Sequence, residues 1–126
     1  MRAIDTNVLV RLLTREDEKQ FVSADGFIEK GAWVSHLVLA ETTWVLSTAY
    51  GLQPSEIATA VGMLLDHAQL TFQDADVVAA ALHQYRQKPS IGFSDCLVLE
   101  IARKAGHLPL GTFDRTLSRL DGAERL

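Results

Sequence analysis

Short apolar runs of three or four residues alternate along this chain with longer stretches at helical spacing, and that alternation fixes the fold class. Arg2 to Asp5 is expected as a short strand, followed by a short apolar helix from Asn7 to Leu13. Glu16 to Lys30 has helical spacing, with Phe21, Ala24, Phe27 and Ile28 on one stripe, and Gly31 is placed to stop it. Ala32 to Val34 reads as a second strand. Ser35 then caps a helix from about His36 to Tyr50, ended by Gly51. Pro54 or Ser55 opens a further helix to about His67. Leu70 to Phe72 is a third strand, and Asp74 is expected to cap the helical ADVVAAALHQYRQ. Lys88 to Gly92 reads as a loop, and Ser94 as the cap of a helix ending near Gly106. Leu108 to Leu110 is a fourth strand, Thr112 to Leu120 a loop with a helical turn, and Ala123 to Leu126 a weak final strand. Short strands joined by helices pair in parallel and are covered on both faces. The expected fold is therefore α/β, a three-layer α/β/α sandwich with a short parallel central sheet. With 126 residues and no repeat, low-complexity tract or linker, a single domain over 1–126 is expected.

Four acids stand against or at the end of apolar runs. Asp5 closes MRAID, Glu41 interrupts HLVLAETTWVL, Asp95 opens SDCLVLEIA, and Asp114 follows LPLGTF. A lone carboxylate in apolar surroundings is costly to keep ionised, and a divalent cation is a common compensator. In open parallel sheets, sites form beyond the carboxyl ends of the strands. Asp5 falls at the end of the first strand and Asp114 just after the fourth. Glu41 lies in the second turn of the helix after the second strand, and Asp95 in the first turn of its helix. The four are expected to share one rim of the sheet. At about 100° per residue, Leu37, Trp44, Val45 and Thr48 lie within a quarter turn of Glu41, which puts it in the middle of an apolar arc.

Each acid also has a structural alternative. Glu41 could be a buried acid paired with an Arg or bound to a backbone amide, and Asp95 a helix-start acid. Asp5 could cap the helix at Asn7, and Asp114 could be a loop acid beside Arg115. Taken together, the order of the four favours a site for Mg²⁺ or Mn²⁺, hard ions that prefer carboxylate and water oxygens. Such ions activate water for attack on phosphorus. The histidines, His36, His67, His83 and His107, are dispersed and show no paired spacing.

Composition excludes several other classes. Cys96 is the only cysteine, so neither an intramolecular disulfide nor a thiolate zinc cage can form within one chain. Asp5 breaks the first apolar stretch, which therefore lacks the unbroken core of a signal peptide. No apolar run approaches the roughly 20 residues that span a bilayer, so a cytoplasmic protein is expected. The net charge of −4 gives no broad attraction for nucleic acid. It leaves a nucleic-acid substrate open, since bound ions would partly neutralise the acidic site.

At IDTNVLVRLL, SHLVLAETTWVL, GFSDCLVLEIA and LGTFDR the chain resembles PIN-domain proteins, and more narrowly VapC-type toxin ribonucleases of type II toxin–antitoxin systems. The resemblance covers nearly the whole chain and implies a parallel α/β/α sandwich. It also implies a Mg²⁺-dependent endoribonuclease in which Mn²⁺ can substitute. Asp5, Glu41, Asp95 and Asp114 would form the acidic pocket, with Asp5 and Asp95 as the foremost metal ligands. Thr112, with Thr6 or Asn7, would orient a pocket carboxylate or water. The partners it implies are RNA, a cognate antitoxin protein and a second copy of the chain in a homodimer. Ser94 and Cys96 flank Asp95 where many relatives have Ala. Both are small enough to fit, and Cys96 is expected as a buried apolar residue.

An RNA backbone needs cations. Candidates are Arg86 and Lys88 before Asp95, Arg115 and Arg119 after Asp114, and Arg11 and Arg15 beyond Asp5. The aromatics are expected mainly in the core. A receiver-type phospho-acceptor domain is a rival reading, but it would need adjacent acids in the first loop and a Lys after a late strand, whereas here Asp5 is followed by Thr6 and Asn7 and LPLGTFD supplies no Lys. A DxDxT phosphatase is excluded by Asn7. A PIN-like module that only binds RNA or protein remains the alternative.

Overall fold

The computed structural model describes residues 1–126, which form two compact units, residues 1–75 and 76–126. The chain is α/β, with six helices and short strands that pair only in parallel.

The first unit carries a three-stranded sheet in the order β1 (Arg2–Ala3), β2 (Ala32–Val34), β3 (Leu70–Phe72). Register aligns Ala3 with Trp33 and Trp33 with Thr71. Ala32, Val34, Leu70 and Phe72 point to the buried face, as the alternation of a strand requires. The first strand is shorter than expected because Asp5 leaves the ladder to cap α1 (Thr6–Thr14). Ile4 still donates to the Trp33 carbonyl at 3.2 Å. Helix α2 (Glu18–Ile28) begins two residues later than its spacing suggested. Asp17, extended and accepting from the Gln20 amide at 3.0 Å, supplies its cap. Phe21 and Phe27 are half-buried and are overlaid by the guanidinium groups of Arg15 and Arg2, at 4.4 and 3.7 Å. Helix α3 (His36–Thr48) is capped by Ser35 as expected, its hydroxyl accepting from the Val38 amide at 3.1 Å. Helix α4 (Pro54–Leu65) opens on a reciprocal box between Gln53 and Glu56, with Pro54 in the first turn.

The second unit holds α5 (Ala75–Gln87), α6 (Phe93–Ala105) and a parallel pair, β4 (Leu110–Thr112) with β5 (Ala123–Arg125). Strand β4 starts after Pro109 rather than at Leu108, since Pro109 has no N–H for a ladder. The expected loop over 88–92 contains a 3₁₀ turn, Pro89–Ile91. Gly92, at φ +89°, takes the position before α6, so Ser94 lies inside the first turn instead of capping it. At Asp121 and Gly122 the backbone passes close under the end of α6. Arg103 Nη2 donates to the Asp121 carbonyl at 2.6 Å, and a Cβ on Gly122 would stand 3.1 Å from that same nitrogen. The φ of +96° favours glycine there, and a Cβ would also crowd the Arg103 guanidinium and the Leu108 side chain. Val77, Val78, Ala81, Leu82, Leu97 and Leu99 are buried. No helix is long and apolar enough to cross a membrane.

Candidate active site

In the first unit the start of α1 fixes one pair of the acids. Asp5 is exposed, and its carboxylate accepts from the Val8 amide at 3.2 Å, the helix-cap role that was the structural alternative for it. A carboxylate has about four lone-pair sites, so this single bond leaves it able to bind a cation. Thr6, next in the chain, is 8% exposed and donates its hydroxyl to Glu41 Oε1. The expected orienting role of Thr6 is thus directed at Glu41. Asn7 is exposed in the same turn and lines a shallow cleft with Arg11, Gln20 and Phe27.

The surroundings of Glu41 correct the sequence reading. Its arc is apolar, but the arc faces solvent: Glu41 and Thr48 are exposed, Leu37 is 76% and Trp44 64% exposed. The face that packs carries Leu39, Thr42, Thr43 and Leu46, roughly 100–200° round the helix from Glu41. Glu41 is therefore a surface acid held by one buried hydroxyl. We expect Thr6→Val to keep the fold and to lower metal affinity or activity at the site by about 10–100-fold, the usual effect of losing a group that orients a ligand. Thr6→Ser should restore most of it, which activity assays beside thermal melts would decide.

In the second unit Asp95 lies in the first turn of α6 and is half-buried. Burial raises its carboxyl above the ordinary range, and the negative charge of Asp114 raises it further. Of the four acids, Asp95 alone meets the expectation of an acid in a costly place. Asp114 is exposed, and its Oδ1 accepts from the amides of Thr116 and Leu117 at 2.8 and 2.9 Å. Thr112 is expected to orient a carboxylate or water; its hydroxyl accepts from the Asp114 backbone amide at 3.0 Å, which leaves its O–H able to donate. It positions the residue through the main chain.

Cys96 is buried as expected, and burial, with the nearby charges of Asp95 and Glu100, pushes its thiol up to about 11. Thiolate chemistry at neutral pH is thereby closed off. We expect iodoacetamide to leave Cys96 unmodified in the folded protein and to label it once denatured, as intact-mass measurement would show.

Sequence reasoning missed Glu100, which is 6% exposed. Arg103 pairs with it at 3.1 Å, and Gln84 approaches at 3.5 Å. The signal was present as the Glu–Arg spacing of one helical turn in EIAR. Among the cations, Arg86, Lys88, Arg115 and Arg119 are exposed and have no acidic partner. Arg11 is occupied by Glu16, Gln20 and Tyr50, and Arg15 by the Phe21 ring, so neither is spare. The aromatics were expected in the core, yet Phe113 is 80%, Trp44 64% and Trp33 37% exposed.

In neither unit do three His, Cys, Asp or Glu side chains gather into a group that could hold a metal ion unaided. The donor chemistry nonetheless fits Mg²⁺ or Mn²⁺. Such ions take one or two protein carboxylates and keep several waters or substrate oxygens, and Asp95 and Asp114, whose charges repel, are the carboxylates that would hold one.

The PIN domain family model matches residues 3–123, and the chain belongs to that family. PIN domains are generally metal-dependent nucleases. No curated protein and no solved structure gives a significant match.

Proposed function

We propose that this chain is a Mg²⁺-dependent endoribonuclease, with Mn²⁺ as substitute, and the toxin of a type II toxin–antitoxin pair of the VapC kind. Asp5, Glu41, Asp95 and Asp114 are its acidic set, with Asp5 and Asp95 the foremost ligands. The observation that carries the reading is Asp95, whose carboxyl is destabilised as an anion by burial and by Asp114. A divalent cation relieves both penalties at once. When bound, the ion supplies an activated water and charge stabilisation at phosphorus.

The chain's own residues prepare that chemistry. Thr6 holds one oxygen of Glu41, leaving the other available as acceptor. The Thr116 and Leu117 amides fix one oxygen of Asp114 and leave its second free. Arg86, Lys88, Arg115 and Arg119 attract the RNA backbone. The cognate antitoxin, a homodimer and a cytoplasmic location complete the reading.

Labelled RNA incubated with Mg²⁺ or Mn²⁺ tests it: the wild type should cut internally, and cleavage should stop with EDTA. Metal alone gives a second readout. At a hundred times its dissociation constant the ion should stabilise the fold by about 2.7 kcal/mol. That gain should vanish in Asp95→Asn. Metal-independent melting with no cleavage would leave the binding-only module as the better reading. For the toxin role, expression in bacteria should arrest growth, and Asp95→Asn should not.

A further inference from the structure

We propose that Phe113 is a base-stacking residue that selects single-stranded RNA, an inference that rests on the nuclease reading above. Phe113 is 80% exposed, more than any other large hydrophobic residue of the chain. Nothing in its own surroundings explains that exposure, since its ring has neither an aromatic nor a cationic partner. It is also not on a slack loop. On one side the Thr112 carbonyl accepts from the Leu126 amide at 2.9 Å. On the other, the Asp114 amide donates to the Thr112 hydroxyl at 3.0 Å, and the Asp114 carboxylate holds two amides of the next turn. The ring is held outward by a turn with its bonds satisfied on both sides, so little order remains to be lost when a ligand packs on it.

Its neighbours give the ligand's chemistry. The residue after it is Asp114, one of the proposed acidic set. Arg115 follows, with Arg119 one turn on, both exposed and without acidic partners. A flat apolar face next in the chain to a proposed metal-binding acid and to exposed, unpaired arginines suits a nucleotide: base on the ring, phosphate on an arginine. Stacking uses the face of a base, which is available in an unpaired strand and concealed inside a duplex. An apolar protein surface would use the ring's bulk equally well, but would gain nothing from the two arginines.

Fluorescence anisotropy of a short labelled RNA of mixed sequence, in EDTA to prevent hydrolysis, tests this. Phe113→Ala and Phe113→Leu should weaken binding roughly tenfold or more, while Phe113→Tyr and Phe113→Trp stay near wild type. Annealing the RNA to its complement should abolish the difference between wild type and Phe113→Ala. Full binding by Phe113→Leu would overturn the proposal, because leucine keeps the bulk and loses the face. So would a fall in solution mass for Phe113→Ala by sedimentation velocity, which would mean that a second copy covers the ring. A wild type that cuts RNA with Phe113 variants unaffected removes the stacking role alone. A wild type that neither binds nor cuts removes the nuclease reading with it.

Discussion

Asp95→Asn is expected to lower RNA cleavage by at least about 100-fold and, in the same protein, to stabilise the metal-free fold. The first effect follows from its proposed role: loss of a group behind a metal ligand already costs about 10–100-fold, and loss of a ligand costs more. The second follows from the direction of its proton affinity. Burial, then the charge of Asp114, raises the folded carboxyl above the ordinary aspartate value of about 3.9. The folded state therefore binds this proton more tightly than the unfolded chain does. Below about pH 3.9 both states hold it and there is no penalty. As pH climbs from there through the raised folded value, the folded state is progressively disfavoured, and above that value the penalty is complete. Asparagine carries no charge and escapes it. The gain of the variant should be absent near pH 3 and full at pH 7, as denaturant titrations in EDTA at both values would show. Equal stability at pH 7 would mean that Asp95 is better solvated than its half-buried position indicates. Added Mg²⁺ should reverse the order, stabilising the wild type and leaving the variant unchanged.

The placement of Asp95 was legible because a helix-start acid followed by LVLEIA leaves few solvated orientations. The strands were legible for a related reason: Ala32 to Val34 lies between Gly31 and Ser35, and Leu70 to Phe72 between the polar Gln69 and Gln73. Boundaries failed where a single residue redirected the backbone. Asp17 delays α2, Pro109 delays β4, and Gly92 at positive φ takes the place expected of Ser94. The environments of Asp5 and Asp114 were legible only as alternatives, since a carboxylate that caps amides and one that binds a cation share the same sequence. Thr112 shows the same limit. Its presence beside Asp114 could be read, but whether its hydroxyl met a carboxylate or a backbone amide depended on a turn the sequence does not specify. The exposed Phe113 was hidden for another reason. A lone aromatic after a strand has no periodicity of its own, so the default assignment was to the core.

Helix α3 carries the second large expected effect, a contrast between two leucines two residues apart. Leu39→Ala should destabilise the fold by about 2–5 kcal/mol, whereas Leu37→Ala should change it by no more than about 0.5 kcal/mol. Leu39 is 0% exposed, so truncation removes buried methyl groups and leaves a cavity among neighbours that relax only in part. Leu37 is 76% exposed and has little contact to lose. Hydropathy does not separate them, for α3 is apolar nearly all the way round, and that is why the arc at Glu41 looked like a core face. Thr42 and Thr43 settle the phase. Both are buried, and their hydroxyls are satisfied inside the helix by the carbonyls of Val38 and Ala40, at 2.7 and 2.8 Å. A threonine that bonds back to its own helix leaves its methyl group free to pack. The polar-looking triplet ETT thus turns its threonines inward and its glutamate outward. Urea titration of both variants would check the phase directly. Comparable losses at Leu37 and Leu39 would mean that the Glu41 face is covered in solution, and Glu41 would then have to be reassigned as a buried acid.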